Sequence, residues 1–137
     1  MPNGTLIVKH NIEVAHRLLL LKGRCENIHG HSMIVQLELS GPIDANDCVL
    51  GLDFGEIKKV FREYLDTFYD HHLLLHTDDY LAAQDLPGAV RLYKGDPTTE
   101  NIALTIKEWA QREWVIYNAE NAVIVEVQET ATNSVRV

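Results

Sequence analysis

The sequence predicts an α+β fold, an antiparallel sheet with two helices packed on one face, in the order ββααββ. Three observations predict it. His31 to Ser40 alternates, with Met33, Val35, Leu37 and Leu39 on one side and Ser32, Ile34, Gln36 and Glu38 on the other. Asp53 to Phe68 carries Phe54, Ile57, Phe61, Leu65 and Phe68 at helical spacing. Ala122 to Glu129 reads as a further strand, with Val123, Val125 and Val127 on one face.

The elements follow in order. Thr5 to Val14 is rich in β-branched residues and forms the first strand. The second ends at Gly41-Pro42, and Ile43 to Asn46 is turn-rich. Asp53 with Glu56 three residues on resembles a capping box that starts the first helix. That helix ends near Tyr69, which places Asp70-His71-His72 at or just beyond its C-terminus. Thr77 to Lys94 reads as a loop or an irregular insertion. Asp96-Pro97-Thr98-Thr99-Glu100-Asn101 opens the second helix, with a polar cap candidate, a proline in the first turn and an acid near the positive end of the dipole. It runs to about Glu113 with Ile102, Ile106 and Trp109 inward. Ser134 to Val137 is a short last strand. A small sheet with helices on one face leaves edges and the other face to cover, which oligomerisation would do.

The 137 residues predict one domain spanning 1–137 with a modest core. Hydrophobic residues are 46% and charged residues 23%, an ordinary globular balance. The formal net charge of −8, without a dense basic run, argues against a nucleic-acid partner. If the substrate is anionic, a local basic patch must oppose that field. Lys22 and Arg24 are candidates, and ordinary solvated charges are the other reading. The N-terminal stretch lacks a signal-peptide core, and Leu18 to Leu21 is too short to span a bilayer, so the expectation is a cytoplasmic protein with no membrane partner. A disulfide between Cys25 and Cys48 is not expected in a reducing compartment.

Seven histidines are the more informative feature. His29 and His31 are two apart at the start of a strand and project to one face. His16 closes the preceding segment, and a neighbouring strand could bring it beside them. Three neutral imidazoles would leave one position of a tetrahedral zinc open, as in catalytic sites, whereas a structural zinc more often has four protein ligands. A His-x-His pair also occurs by chance, and three histidines suit other divalent ions. Cys25, four residues before His29, is either a base of lowered pKa or a small buried hydrophobe. Asp70-His71 is either a carboxylate-oriented imidazole or a polar helix end. Glu129 continues an apolar strand face, and either accepts two hydrogen bonds from a guanidine-like edge of a pterin or guanine, or sits in solvent.

Taken together, Glu13-Val14-Ala15-His16-Arg17-Leu18, Cys25-Glu26-Asn27-Ile28-His29-Gly30-His31, Leu52-Asp53-Phe54, Asp70-His71-His72, Pro97-Thr98-Thr99-Glu100-Asn101 and Gln128-Glu129-Thr130 resemble, in order, the 6-pyruvoyltetrahydropterin and 6-carboxytetrahydropterin synthase family. The resemblance implies a tunnelling fold, in which subunits join their sheets into a barrel with active sites at interfaces, as a hexamer or tetramer. It implies Zn2+ on His16, His29 and His31, Cys25 as the proton-abstracting base, and Asp70 and His71 as a proton-transfer pair. It implies that Glu129 anchors a pterin ring in a pocket lined by Thr98, Thr99 and Glu100, and that the substrate is 7,8-dihydroneopterin triphosphate or a close relative.

The Cys25-to-His29 spacing is similar to that of the bacterial lyases making 6-carboxy-5,6,7,8-tetrahydropterin for 7-deazaguanine (queuosine) synthesis. Glu26 occupies the position used by a subgroup that cleaves the side chain to 6-hydroxymethyl-7,8-dihydropterin for folate. Carrying both resembles a bifunctional subgroup, and a solvated loop acid is the other reading of Glu26. A reading of another class is a non-catalytic barrel that binds a purine or pterin. The long Thr77 to Lys94 span and a short end after Arg136-Val137 depart from the shorter bacterial pattern.

Overall fold

The computed structural model describes residues 2–114 and 122–137. Among these, β1 (Asn3–His16) and β2 (His29–Pro42) form the antiparallel centre, paired from Asn3 opposite Pro42 to His16 opposite His29. Then come α1 (Phe54–Phe68), β3 (His72–His76), β4 (Ala89–Tyr93), α2 (Thr99–Glu113), β5 (Val123–Gln128) and β6 (Ser134–Arg136). The strands lie in one sheet in the order β4-β3-β1-β2-β5-β6.

The fold class is as expected, but two strands stand between the helices. The element order is ββαββαββ, and the sheet is mixed, because β3 runs parallel to both β1 and β4. The physical reason is local. β3 is only His72-Leu73-Leu74-Leu75-His76, with Leu74 and Leu75 both buried, so no alternation marks it. In β4 only Tyr93 is buried. The segment expected to be irregular is so in its first part, with a 3-10 turn at Tyr80–Ala83, and ends as a strand.

Alternation supplies the core. Leu6, Val8, Ile12 and Val14 of β1, Met33, Val35, Leu37 and Leu39 of β2, and Val123, Val125 and Val127 of β5 are buried on one face. Ile57, Phe61 and Leu65 of α1 and Ile102, Ala103, Ile106 and Ala110 of α2 join the same cluster, so both helices cover that face. Phe54 and Phe68, at the two ends of α1, are exposed. Asp53 caps α1 by accepting the Glu56 amide (3.2 Å). The cap of α2 is Thr98 rather than Asp96: its hydroxyl accepts the Asn101 amide (3.1 Å), and Pro97 precedes the cap instead of lying in the first turn. Trp109 is half-buried and stacks on Tyr64 with ring centroids 3.8 Å apart.

On the opposite face Glu38 is buried against β6. Both of its oxygens accept from the Arg136 guanidinium, which holds the carboxyl below its usual range. The last strand is short but tied down. The sheet ends on β4 and β6, whose outer backbone edges are unpaired within the described chain. No helix among the described residues is long and apolar enough to cross a membrane.

Candidate functional site

The β1–β2 register builds the histidine cluster. His16 lies directly opposite His29, and His31 is two residues further along β2, so all three leave the same face at one end of the core. Ring centroids are 4.5 Å apart for His16 and His29, and 5.0 Å for each pair with His31. One ligand nitrogen from each lies within 4.8 Å of the others, so the three could hold a metal ion.

The donor set fits a metal. His16 Nδ1 donates to the Pro97 carbonyl (2.8 Å) and His29 Nδ1 to the Asn27 carbonyl (2.7 Å), which puts the protons on Nδ1 and frees both Nε2 lone pairs. Those two Nε2 atoms are 2.9 Å apart, and His31 Nε2 is buried with no hydrogen-bond partner. Burial lowers the His16 pKa below its ordinary value; the Pro97 carbonyl opposes this and the His29 and His31 rings add to it. A neutral imidazole is the form that binds metal. Gly30 pairs with Ala15 across the sheet, and both line a cleft of about 510 Å³ together with Glu13, His31, Ser32, His71 and Pro87.

Glu129 follows β5 on the core face, and its Oε1 lies 3.3 Å from His31 Nε2 and 3.7 Å from His16 Nε2. It therefore reaches the cluster rather than solvent. It also lines a second pocket, of about 240 Å³, with Thr99, Glu100, Asn133 and Ser134. Three of the four residues expected around a pterin ring thus share one pocket beside the histidines. The hydroxyl of the fourth, Thr98, is used in capping α2.

Asp70 and His71 form a dyad. Asp70 Oδ2 accepts from His71 Nδ1 at 2.8 Å, and Asp70 Oδ1 accepts the Glu13 amide at 2.7 Å. Burial would raise the Asp70 carboxyl, but the Glu13 amide and His71 outweigh it and hold it below the usual range. His71 sits in the left-handed region (φ 59°), where the chain turns from α1 into β3, and its amide donates to the Glu13 carbonyl. His71 and His31 line the same cleft.

Cys25 and Glu26 belong to a 3-10 turn, Arg24–Glu26. Cys25 is a half-buried free thiol, and among the described residues it makes no side-chain hydrogen bond to the dyad or the cluster. Glu26 Oε1 accepts the Gly23 amide (3.3 Å) and lies 4.0 Å from Lys22 Nζ, so one of its carboxylate oxygens is engaged in its own turn. The structure thus joins the three histidines with Glu129, Thr99 and Glu100, pairs Asp70 with His71, and leaves Cys25 and Glu26 on a separate loop. The sequence reading missed Pro97 as the partner of His16. The two are 81 positions apart, and no spacing rule links them.

Comparison with known proteins follows the same lines. A family model described as 6-pyruvoyl tetrahydropterin synthase matches residues 5–137. The 6-carboxy-5,6,7,8-tetrahydropterin synthase of Rickettsia typhi is 28% identical over 101 residues, covering 71% of this chain and 72% of that protein. The enzyme of the same name from Rickettsia felis is 29% identical over 99 residues, covering 69% and 71%. Among solved structures, an uncharacterised Wolinella succinogenes protein superposes with a TM-score of 0.81 at 18% identity, covering 100% of this chain and 98% of that one. The Caenorhabditis elegans 6-pyruvoyl tetrahydropterin synthase gives 0.69 at 24% identity, covering 100% and 96%. The tunnelling fold implied by the resemblance is the fold these matches share. With the family model spanning all but the first four residues, the chain belongs to the 6-pyruvoyl tetrahydropterin synthase family.

Proposed function

We propose that the protein is a zinc-dependent lyase that converts 7,8-dihydroneopterin triphosphate to 6-carboxy-5,6,7,8-tetrahydropterin, with elimination of the triphosphate and cleavage of a carbon–carbon bond that releases the outer two side-chain carbons. One observation carries the reading: His16, His29 and His31 converge, with the Nε2 lone pairs of His16 and His29 free and His31 Nε2 without a hydrogen-bond partner, next to a pocket lined by Glu129. The names of the Rickettsia relatives support the product. A zinc ion on the three histidines would supply Lewis-acid polarisation of the substrate's side-chain oxygens, acidifying the adjacent C–H bonds.

The chain's own groups do the rest. Glu129 accepts hydrogen bonds from the amino group and ring N–H of the pterin, with Thr99 and Glu100 closing the pocket and Thr98 fixing the start of α2 beside it. Cys25 is the base that takes a proton from the activated carbon. His71, oriented by Asp70, returns a proton elsewhere on the side chain. The protein works as a homo-oligomer, a hexamer or tetramer, which would cover the edges at β4 and β6.

The second reading, side-chain cleavage to 6-hydroxymethyl-7,8-dihydropterin, rests on Glu26. The hydrogen bond from the Gly23 amide gives Glu26 a local role and favours the first reading. Incubation of the zinc-loaded protein with dihydroneopterin triphosphate, with products identified by mass, should show the carboxy product. Glu26→Ala should leave that product in place. Loss of the carboxy product in the variant would make Glu26 part of the main reaction, and no carboxy product from the parent, beside an active control enzyme, would refute the assignment.

A further inference from the structure

We propose that Asp96 is a positioning residue for this reaction, fixing the loop that carries Cys25 relative to the histidine cluster. The inference rests on the role of Cys25 given above.

Asp96 stands at the start of the second-helix motif, but Thr98 takes the capping role and leaves the Asp96 carboxylate for other work. Its Oδ1 accepts the Leu19 amide at 2.7 Å and its Oδ2 accepts the Leu20 amide at 2.9 Å. Both bonds are charge-assisted, and they use both oxygens. One residue earlier, the Leu18 amide donates to the Cys25 carbonyl at 2.8 Å, so the chain from Leu18 to Cys25 closes on itself. Whatever holds Leu18 to Leu20 therefore also holds the backbone of Cys25.

That loop has little else to hold it. Leu18 is buried, but Leu20, Leu21 and Ile28 are 68%, 55% and 53% exposed, and the turn bearing Cys25 buries no residue. Beyond Leu18, apolar packing does little to fix it, and the two hydrogen bonds to the Asp96 carboxylate supply the remaining hold. The anchor is itself fixed. Asn101 Nδ2 in the first turn of α2 donates to the Asp96 carbonyl (3.0 Å), and the next carbonyl, that of Pro97, orients His16. Asp96 and Pro97 thus tie the loop to the metal ligand and the helix. The carboxylate serves the loop, and the Pro97 carbonyl serves the ligand.

This division gives the test. In a Cys48→Ser background, so that Cys25 is the only thiol, Asp96→Ala is compared with the parent in three measurements. These are steady-state kinetics of the zinc enzyme on dihydroneopterin triphosphate, the rate of Cys25 alkylation by iodoacetamide in the metal-loaded protein, and the visible spectrum with cobalt in place of zinc. A misplaced catalytic group costs on the order of 10²-fold in rate, so kcat should fall about 100-fold with KM unchanged. Alkylation should rise several-fold as the loop opens, and the cobalt spectrum should stay the same. Asp96→Asn keeps one acceptor oxygen and should fall between the two, with circular dichroism confirming the fold of each variant. Parental kcat and alkylation in Asp96→Ala would overturn the proposal. So would a collapsed cobalt spectrum with unchanged alkylation, which would make Asp96 a support of the metal ligands. If the parent turns over no dihydropterin, the assigned reaction fails, while alkylation and cobalt spectra still decide the role of Asp96.

Discussion

His16→Ala should abolish metal binding and turnover together. His16 is 1% exposed, and its ring is held by the Pro97 carbonyl before any metal arrives. Its removal deletes one of the three proposed ligands and leaves the Pro97 carbonyl without its donor. Loss of an outer-shell partner alone costs roughly 10–100-fold in metal affinity, and loss of a ligand should cost more. Metal analysis of the purified variant after equilibration with limiting zinc should find it nearly empty where the parent binds one equivalent. The sheet pairing around His16 is backbone work, from His16 opposite His29 to Asn3 opposite Pro42, so circular dichroism should show a folded variant. Parental zinc affinity in His16→Ala would mean that the rings converge for another reason.

Cys25→Ala should have the second-largest effect, on rate alone. Positioned proton transfer contributes typically about 10²–10⁴-fold, so kcat should drop within that range while zinc stoichiometry and affinity for the pterin are kept. Cys48 is the internal control. It is exposed and donates only to the Asn46 carbonyl within its own turn, so Cys48→Ser should behave as the parent. The same pair of variants separates the enzyme from a non-catalytic pterin binder, in which neither thiol would matter. Steady-state turnover of dihydroneopterin triphosphate checks this, and parental kcat in Cys25→Ala would remove the thiol from the mechanism.

The legible parts of the fold are those where one face is buried over many residues. β2 and β5 declare themselves by alternation, since a slip of one residue would turn their apolar sets outward, the two helices by helical spacing, and β1 by its β-branched residues. β3 and β4 do not. Leu73, Leu74 and Leu75 form too short a run to show a period, and β4 leaves Val90 and Leu92 exposed. The start of α2 was legible as a region, but Asp96, Thr98 and Thr99 all offered cap chemistry, and tertiary contacts assigned Thr98 to the helix and Asp96 to the loop.

The site divides the same way. His29 and His31 are legible by alternation, His16 by the end of the facing strand, and Glu129 as a carboxylate that continues an apolar face. The Pro97 carbonyl and the Asp96 carboxylate are not, because backbone carbonyls carry no residue signature and both contacts join segments about 80 positions apart in sequence. Glu26 has a local contact that its position did not suggest, a hydrogen bond from the Gly23 amide within its own turn.

X-ray absorption of the zinc-loaded protein tests the central claim most directly. Three imidazole nitrogens at roughly 2.0–2.1 Å with one further light scatterer, and no sulfur near 2.3 Å, is the predicted first shell. A sulfur ligand, or fewer than three imidazoles, would contradict an open three-histidine centre and the chemistry built on it.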